Sequence, residues 1–336
     1  MIMGGFWTEI RPQPPMNAEC GMMGDECRTG FRAYSHFPHF AFRIHHFTCL
    51  GGDAGPTGIR SEGRRNMNRP GALRLLWTYA RASFRGQMQY KASFTMGIIA
   101  QVFQTAIEIA AIWALFARFG SLLSWTLPEV AMLYGIANMS LAIAESAGRG
   151  FDIFGYRVVK QGEFDWLLLR PRSTALQVAG LEIHLRYMGR FIQGAVVLGW
   201  AVAKLGISWT FPKAVLVAGS VLGGACLFSG LFILQAVLAF WTTESLEVFA
   251  TVTYGGVETA QYPLGIYRGW FRKFFTFVVP LACMNYFPAL VILDRTTLVP
   301  VPAGLLWLSP LTGLVFLLVS LRFWEFGVRH YRSTGS

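Results

Sequence analysis

Apolar residues along the chain are gathered into long blocks that alternate with shorter polar stretches. A helix that crosses the hydrocarbon core of a bilayer needs about 20 mostly apolar residues, and six blocks match or approach that length. This pattern predicts an all-α, polytopic membrane protein with six transmembrane helices. The six blocks are residues 94–116, 128–147, 191–205, 213–241, 274–293 and 304–324.

A seventh segment, residues 242–262, has a helical pattern but carries acidic residues such as Glu258. It is either a helix in a cytoplasmic loop or a polar crossing inside a helix bundle. In the second case residues 274–293 form a re-entrant element that is broken at Pro280 and Pro288, because non-helical backbone at membrane depth needs protein or water around it. Hydropathy favours the loop, and both alternatives stay open.

Composition and charge placement agree with a membrane protein. Of the 336 residues, 54% are hydrophobic and 14% charged, with a net charge of +11. Ordinary soluble domains contain about 25% charged residues, so that class is excluded, and the isolated basic residues argue against nucleic acid as a partner. Lys and Arg concentrate before the first block, between residues 149 and 190, and after residue 321. The positive-inside rule therefore places both termini and the 149–190 connection in the cytoplasm.

The first 66 residues differ from the remainder of the chain. They contain no long apolar run and no regular spacing of Cys and His, so we expect no metal site and no signal peptide. We interpret residues 1–66 as a poorly ordered extension, and one hypothesis places the native start at Met67.

Residues 67–93 form a predicted amphipathic helix in the membrane interface, in contact with lipids. Leu73, Trp77 and Phe84 share one helical face. A neighbouring stripe contains Arg74, Arg81 and Arg85. Such a helix lies with its apolar face in the acyl boundary and its arginines among lipid phosphates, although a solvated basic approach to the first span is the alternative. Residues 94–326 then form the transmembrane domain and residues 327–336 a cytoplasmic tail.

Sequence motifs for catalysis are missing. The chain has no phosphate-binding loop, no HExxH and no GxSxG, so we expect neither an enzyme nor a bound cofactor. Glu108 and Glu145 lie within apolar blocks, where a carboxylate is costly unless it faces a pathway or a partner. They are candidates for the translocation path, and helix–helix hydrogen bonding is the alternative. Gly219 and Gly223 predict close helix packing.

The connection between the second and third blocks mixes charged residues with an apolar cluster that a solvated loop would not need. Apolar side chains with a charged rim are typical of a docking surface for a soluble partner, and a helix on the membrane surface is the alternative. The residues that we assign to this coupling loop are Gln161, Gly162, Glu163, Asp165, Leu168, Arg170 and Pro171.

Two stretches, VVKQGEFDWLLLRPRS (158–173) and residues 261–293, resemble the ABC-2 type membrane permeases, in particular the six-span bacterial group with a GxxDxLLLRP loop. The similarity extends over roughly residues 70 to 330. In the second stretch, Pro263, Trp270, Pro280 and Pro288 match the pattern of the re-entrant outer element.

The resemblance implies that the chain is one membrane half of an exporter in the bacterial cytoplasmic membrane. A second permease subunit, identical or related, would complete the pathway, and two separate ATPase subunits would bind ATP and contact residues 158–171. It also favours residues 242–262 as the fifth crossing. A secondary exporter driven by protons through Glu108 or Glu145 is the alternative, and a membrane-embedded enzyme is disfavoured. Aromatic-rich spans suit lipids, drugs or glycolipids alike.

Overall fold

The computed structural model describes residues 72–122, 124–184, 187–242, 246–299 and 301–332. Throughout these residues the regular secondary structure is helical, apart from one isolated β-bridge between Leu122 and Trp125. The predicted N-terminal extension and the alternative start at Met67 lie outside the described residues. The helical class predicted from the sequence is confirmed.

Twelve α-helices are assigned in the described residues. They are α1 (Ala72–Gln89), α2 (Lys91–Phe119), α3 (Leu127–Asp152), α4 (Phe164–Leu168), α5 (Thr174–Leu181), α6 (Met188–Leu205), α7 (Phe211–Leu238), α8 (Leu246–Ala260), α9 (Gly269–Lys273), α10 (Phe287–Ile292), α11 (Ala303–Leu308) and α12 (Leu311–His330). Three wider, π-type turns join them at Phe154–Val159, Phe274–Val278 and Ala282–Tyr286.

Four of the described helices are long and apolar enough to cross a membrane, namely α2, α3, α7 and α12. A fifth crossing is counted if the bent pair Gly269–Val278 and Ala282–Ile292 is one span. Helix α6, the third predicted block, has 18 residues and is not among these helices. The structure thus supports four or five spanning helices, and the count of six stays a prediction.

Proline positions correct two details of the predicted blocks. Residues 304–324 are not one helix, because α11 ends at Leu308 and α12 begins after Pro310, whose ring nitrogen cannot donate a helical hydrogen bond. In the fifth block the chain bends by 81° at residues 279–281, where Pro280 lies. Pro288 does not break the chain, since it occupies the first turn of α10, where proline is tolerated.

Helix α3 forms the centre of the bundle, and 18 of its 26 residues are buried. Its start is fixed by a capping box, in which the Thr126 side chain accepts from the backbone of Glu129 and the Glu129 carboxylate accepts from the Thr126 N–H at 2.7 Å. Small residues let neighbouring helices approach closely. A Cβ on Gly135 would lie 2.9 Å from the Gly194 carbonyl oxygen of α6. Ser140 also donates a hydrogen bond to the Val221 carbonyl of α7 at 3.1 Å.

Helices α7 and α12 cross with their backbones in contact. A Cβ on Gly313 would lie 1.9 Å from the carbonyl oxygen of Gly223, and one on Gly223 would lie 2.3 Å from the Pro310 oxygen. Gly219, one turn before Gly223, has only an ordinary 3.9 Å neighbour. The predicted close packing is therefore confirmed at Gly223 and is absent at Gly219.

Helices α1 and α2 lie at the periphery. Only three side chains of α2 are buried, and on α1 Trp77 and Phe84 are 70% and 45% exposed. Helix α1 is nevertheless anchored, because Ser83 and Gln87 both donate to the Ile183 carbonyl, at 2.7 and 2.6 Å. The exposed aromatic side chains of α1 are compatible with the predicted interfacial location.

Candidate functional site

The coupling loop is a compact turn that continues directly from α3. After Asp152 the chain passes through the π-type turn and reverses at Gly162, whose φ of 68° lies in the left-handed region that glycine adopts without strain. The reversal is closed by hydrogen bonds from the N–H groups of Gly162 and Glu163 to the Val159 and Val158 carbonyls, at 3.2 and 3.0 Å. The short helix α4 follows at once.

The short helix α4 has one buried and one exposed side. Phe164 and Leu167 are buried, whereas Trp166, Leu168 and Leu169 are 72%, 41% and 77% exposed. The other assigned loop residues lie on the exposed side or at its edge. Gln161, Glu163, Arg170 and Pro171 are exposed, and Gly162 and Asp165 are partly exposed. The structure therefore gathers the predicted residues on one small surface with an apolar centre and a charged rim.

Phe164 anchors α4 to the ends of the long helices. Its ring contacts the rings of Phe154, Phe240, Trp324 and Tyr331, with centroid distances from 4.8 to 6.3 Å. Most of these pairs are edge-to-face, the geometry that aromatic quadrupoles prefer. We call these five residues the aromatic anchor. It joins the coupling loop to the ends of α7 and α12.

The segment after α4 is also fixed. Gln177 of α5 donates to the carbonyls of Leu167 and Arg172, at 3.2 Å in both cases. The Trp324 indole N–H donates to the Thr174 hydroxyl at 3.0 Å. Residues 169–173 are thus held against α5 and α12 and do not form a free loop.

A polar cluster lies where α3 enters the coupling loop. Asp152 forms an ion pair with Arg149. Its Oδ1 accepts from the Gln235 amide of α7 at 3.1 Å, and its Oδ2, the oxygen that pairs with Arg149, accepts from the Tyr254 hydroxyl of α8 at 3.4 Å. Asp152 therefore ties three helices together at the base of the loop.

A second charged cluster joins the loop to the α5–α6 connection. Arg157 of the π-type turn pairs with Glu182, and the His184 ring nitrogen lies 3.0 Å from the same carboxylate. The hydrogen bond with His184 is the largest effect on the pKa of Glu182, and it lowers that pKa below its ordinary value. Burial acts in the opposite direction, and the nearby positive charges lower the pKa further.

The two intramembrane carboxylates have different surroundings. Glu145 is sealed between α3 and α6, where it accepts from the Arg190 guanidinium at 3.1 Å. The Gln101 amide oxygen, in the orientation that satisfies both groups, accepts from Arg190 at 3.1 and 3.2 Å. Glu108 is only partly buried and accepts from the Tyr134 hydroxyl at 3.2 Å. The helix–helix bonding alternative thus describes Glu145 well.

The outer element comprises the residues from Pro263 to Pro288 that match the second stretch of the family pattern. It starts at Pro263, exposes Trp270 at 69% and bends at Pro280. Beyond it, two ion pairs join the chain after α10 to the first turns of α3 and α7. They are Arg295 with Glu129 at 2.7 Å and Lys213 with Asp294 at 2.9 Å.

Several residues of this arrangement escape sequence reasoning. Arg190 counts among the basic residues that set orientation, yet it is buried and neutralises Glu145. In the sequence, Trp324 is only one more apolar residue at the end of the last block, although in the structure it contributes to the aromatic anchor. The signal available for Arg190 was a cation at the start of an apolar block, which alone does not identify its partner. Within the described residues, no three His, Cys, Asp or Glu side chains come together to hold a metal ion.

Comparison with known proteins adds the family. A family model described as ABC-2 family transporter protein matches residues 102–335. The chain belongs to the ABC-2 transporter family. No curated protein and no solved structure matches it.

As an ABC-2 transporter, the chain is a membrane permease of an ABC-type transporter, and membership of the family implies association with an ABC ATPase in general. The match includes the coupling loop, both intramembrane carboxylates and the outer element. It begins inside α2 and excludes α1. The resemblance recognised in residues 158–173 and 261–293 is confirmed.

Proposed function

We propose that this ABC-2 permease is the membrane-spanning subunit of an ATP-driven exporter in the bacterial cytoplasmic membrane. It has no ATPase activity and no cofactor of its own, because a separate dimeric ATPase binds the nucleotide. Two permease subunits, identical or related, form the pathway between them. ATP binding closes the ATPase dimer, and the permease pair changes its access from the inner to the outer side.

The exposed side of α4 is the observation that supports this proposal most directly. Three large apolar side chains, Trp166, Leu168 and Leu169, project from a short helix whose opposite side is buried. Burying one such side chain contributes about 1.5–3 kcal/mol. An apolar centre with a charged rim is the arrangement of a protein interface, so we assign this surface to the ATPase.

The supports of α4 provide a route for movement. The aromatic anchor joins α4 to α7 and α12, and Asp152 joins the preceding helix α3 to α7 and α8. A displacement of α4 by the ATPase is therefore transmitted to four long helices at once. The permease thus needs no catalytic residue, since the energy comes from the partner.

Co-purification tests the docking surface. We expect Trp166→Ala combined with Leu169→Ala to weaken binding of the ATPase by about 100-fold, because each truncation removes roughly 1.5 kcal/mol or more of apolar burial. Asp165→Ala with Leu168→Ala is a second pair on the same surface. The assay measures the ATPase retained by the tagged, detergent-solubilised permease.

The matched control is Phe211→Ala combined with Val215→Ala on α7, which removes side chains that are 83% and 52% exposed and lie outside the coupling loop. This pair should leave ATPase binding unchanged. Equal retention of the ATPase by the loop variants and by the unmodified chain contradicts the docking role.

A proton-driven exporter is the second candidate, and Glu108 supports it. This carboxylate is only partly buried and pairs with no Lys, Arg or His of the described chain. Transport in vesicles distinguishes the two functions. Transport that persists without the ATPase and stops when the proton gradient collapses supports the proton-driven exporter, whereas strict dependence on ATP and the ATPase supports our proposal.

A further inference from the structure

A lateral groove of about 630 Å³ opens between α2, α3 and α6. The three helices alternate in direction, so the groove has two distinct ends, separated by seven helical residues or about 10 Å. Residues 106, 134 and 193 line one end, and residues 113, 127 and 200 line the other. The first end carries the polar side chains Tyr134 and Gln193, and the second carries Trp113 and Trp200.

The polar end of the groove adjoins two carboxylates. Glu108 accepts a hydrogen bond from Tyr134, which lines the groove, at 3.2 Å. Glu258 of α8 lies within electrostatic range of both Glu108 and Tyr134, and its side chain is exposed although α8 is an apolar helix. With α8 as the fifth crossing, which we propose from the family resemblance, an exposed carboxylate on it is costly unless it faces water or a cation.

The charges around this end do not balance. Glu108 and Glu258 bring two carboxylates, and Arg190 is the cation whose charge acts on Tyr134 and Glu258. Arg190 already pairs with Glu145 and donates to Gln101. The next cation along α3, Arg149, is paired with Asp152. An excess of negative charge therefore remains beside the groove.

We propose that this groove is a binding site for the transported compound, and that the compound is an amphiphile with a cationic head group. Its apolar tail lies against Trp113 and Trp200, and its ammonium or quaternary ammonium head lies beside Glu108, with Glu258 as the second counter-charge. This inference rests on the proposed transport function and narrows its substrate class. A neutral or anionic amphiphile has the same apolar surface available but gains nothing from the carboxylates.

Binding of radiolabelled dodecyltrimethylammonium tests the proposal. The full chain is reconstituted in nanodiscs of phosphatidylcholine, and binding to empty nanodiscs is subtracted. We expect saturable binding that is at least tenfold tighter than for dodecyl sulfate or dodecanol, which share the apolar tail. Glu108→Gln should weaken the binding of the cation about tenfold while leaving dodecanol unaffected. The glutamine retains an oxygen that accepts from Tyr134, so the local hydrogen bond survives.

Glu258→Gln provides a second variant, because the Glu258 side chain is exposed. This substitution should weaken binding of the cationic probe several-fold. Glu325→Gln is the control, since it removes an exposed carboxylate on α12 whose ion-pair partner among the described residues is Arg322. Absence of saturable binding, equal affinity for all three amphiphiles, or equal losses in the Glu258 and Glu325 variants would overturn the proposal. Equal affinity would mean that the groove takes bilayer lipid regardless of charge.

The outcome is separable from that of the proposed function, because binding is measured without the ATPase. A permease that retains its ATPase but does not bind the cationic probe contradicts this inference alone. A permease that binds the probe but does not retain the ATPase contradicts the proposed coupling and leaves the groove assignment intact.

Discussion

The crossing of α7 and α12 gives a sharp prediction about stability. In Gly313→Ala the new methyl group would lie 1.9 Å from the Gly223 carbonyl oxygen, whereas ordinary contacts of a Cβ begin near 3.4 Å. The helices must therefore separate by about 1.5 Å at this point. The three atoms that the methyl group would meet, the O, C and Cα of Gly223, all belong to the backbone, so rotation of a side chain cannot relieve the clash.

The expected cost follows from two opposing effects. Replacing a helical glycine by alanine gains roughly 0.5–1 kcal/mol from the unfolded chain, and overpacking costs about 1–3 kcal/mol. Gly219 lies on the same face of α7 as Gly223. Gly219→Ala should show only the gain in stability, because the nearest neighbour of its new methyl group would be 3.9 Å away. We therefore expect the free energies of unfolding of the two variants to differ by about 1–3 kcal/mol, with Gly313→Ala the less stable.

The assay is equilibrium unfolding of the purified chain by SDS in mixed micelles, followed by circular dichroism. Equal unfolding free energies for Gly313→Ala and Gly219→Ala would refute the reasoning, since they would mean that the backbones of α7 and α12 do not touch. Gly223→Ala repeats the test from the other side of the crossing.

Two further predictions concern ion pairs. Arg190→Gln leaves the buried Glu145 carboxylate without its cation and should lower the unfolding free energy by about 3–5 kcal/mol, whereas replacing both residues by leucine should recover most of the loss. Glu182→Gln should remove a pH dependence: because His184 lowers the folded pKa of Glu182 below 4.5, its contribution is present above that pH and is lost as the pH falls below it. SDS unfolding at several pH values measures both effects.

Exposed residues supply the controls for these two predictions. Arg329→Gln and Glu325→Gln change the same charges at exposed positions of α12 and should alter the unfolding free energy by less than about 0.5 kcal/mol. If the losses in unfolding free energy of the single Arg190 and Glu145 variants added up in the double variant, the pairing of these two residues would be contradicted. A variant of Glu182 with an unchanged pH profile would contradict the role of His184.

The long helices are predictable from the sequence because a bilayer imposes a length on them. The apolar blocks 94–116, 128–147 and 213–241 lie within or close to α2, α3 and α7. The bend at Pro280 also follows from local chemistry, since proline lacks a donor. The coupling loop is recognisable for a similar reason: its charge and apolar residues conflict with both membrane and solvent.

Details that depend on the relative rotation of helices could not be predicted. Hydropathy does not reveal that Glu145 faces Arg190 and that Glu108 faces Tyr134. Each of these pairings depends on how α2, α3 and α6 pack. The break after Leu308 was not predicted, because the apolar block 304–324 was counted as one span although it contains Pro310. Likewise, Phe164 and Trp166 are both aromatic, and only the packing of α4 separates the anchor from the exposed surface.

The pairing of Glu145 with Arg190 also has a consequence for biosynthesis. The two residues are 45 positions apart, and translation proceeds at about 5–20 residues per second, so the ribosome adds Arg190 roughly 2–9 s after Glu145. During this interval α3 carries a carboxylate that has no cation in hydrocarbon. We therefore expect the insertion machinery to retain α3 until α6 arrives and to release the two helices into lipid together.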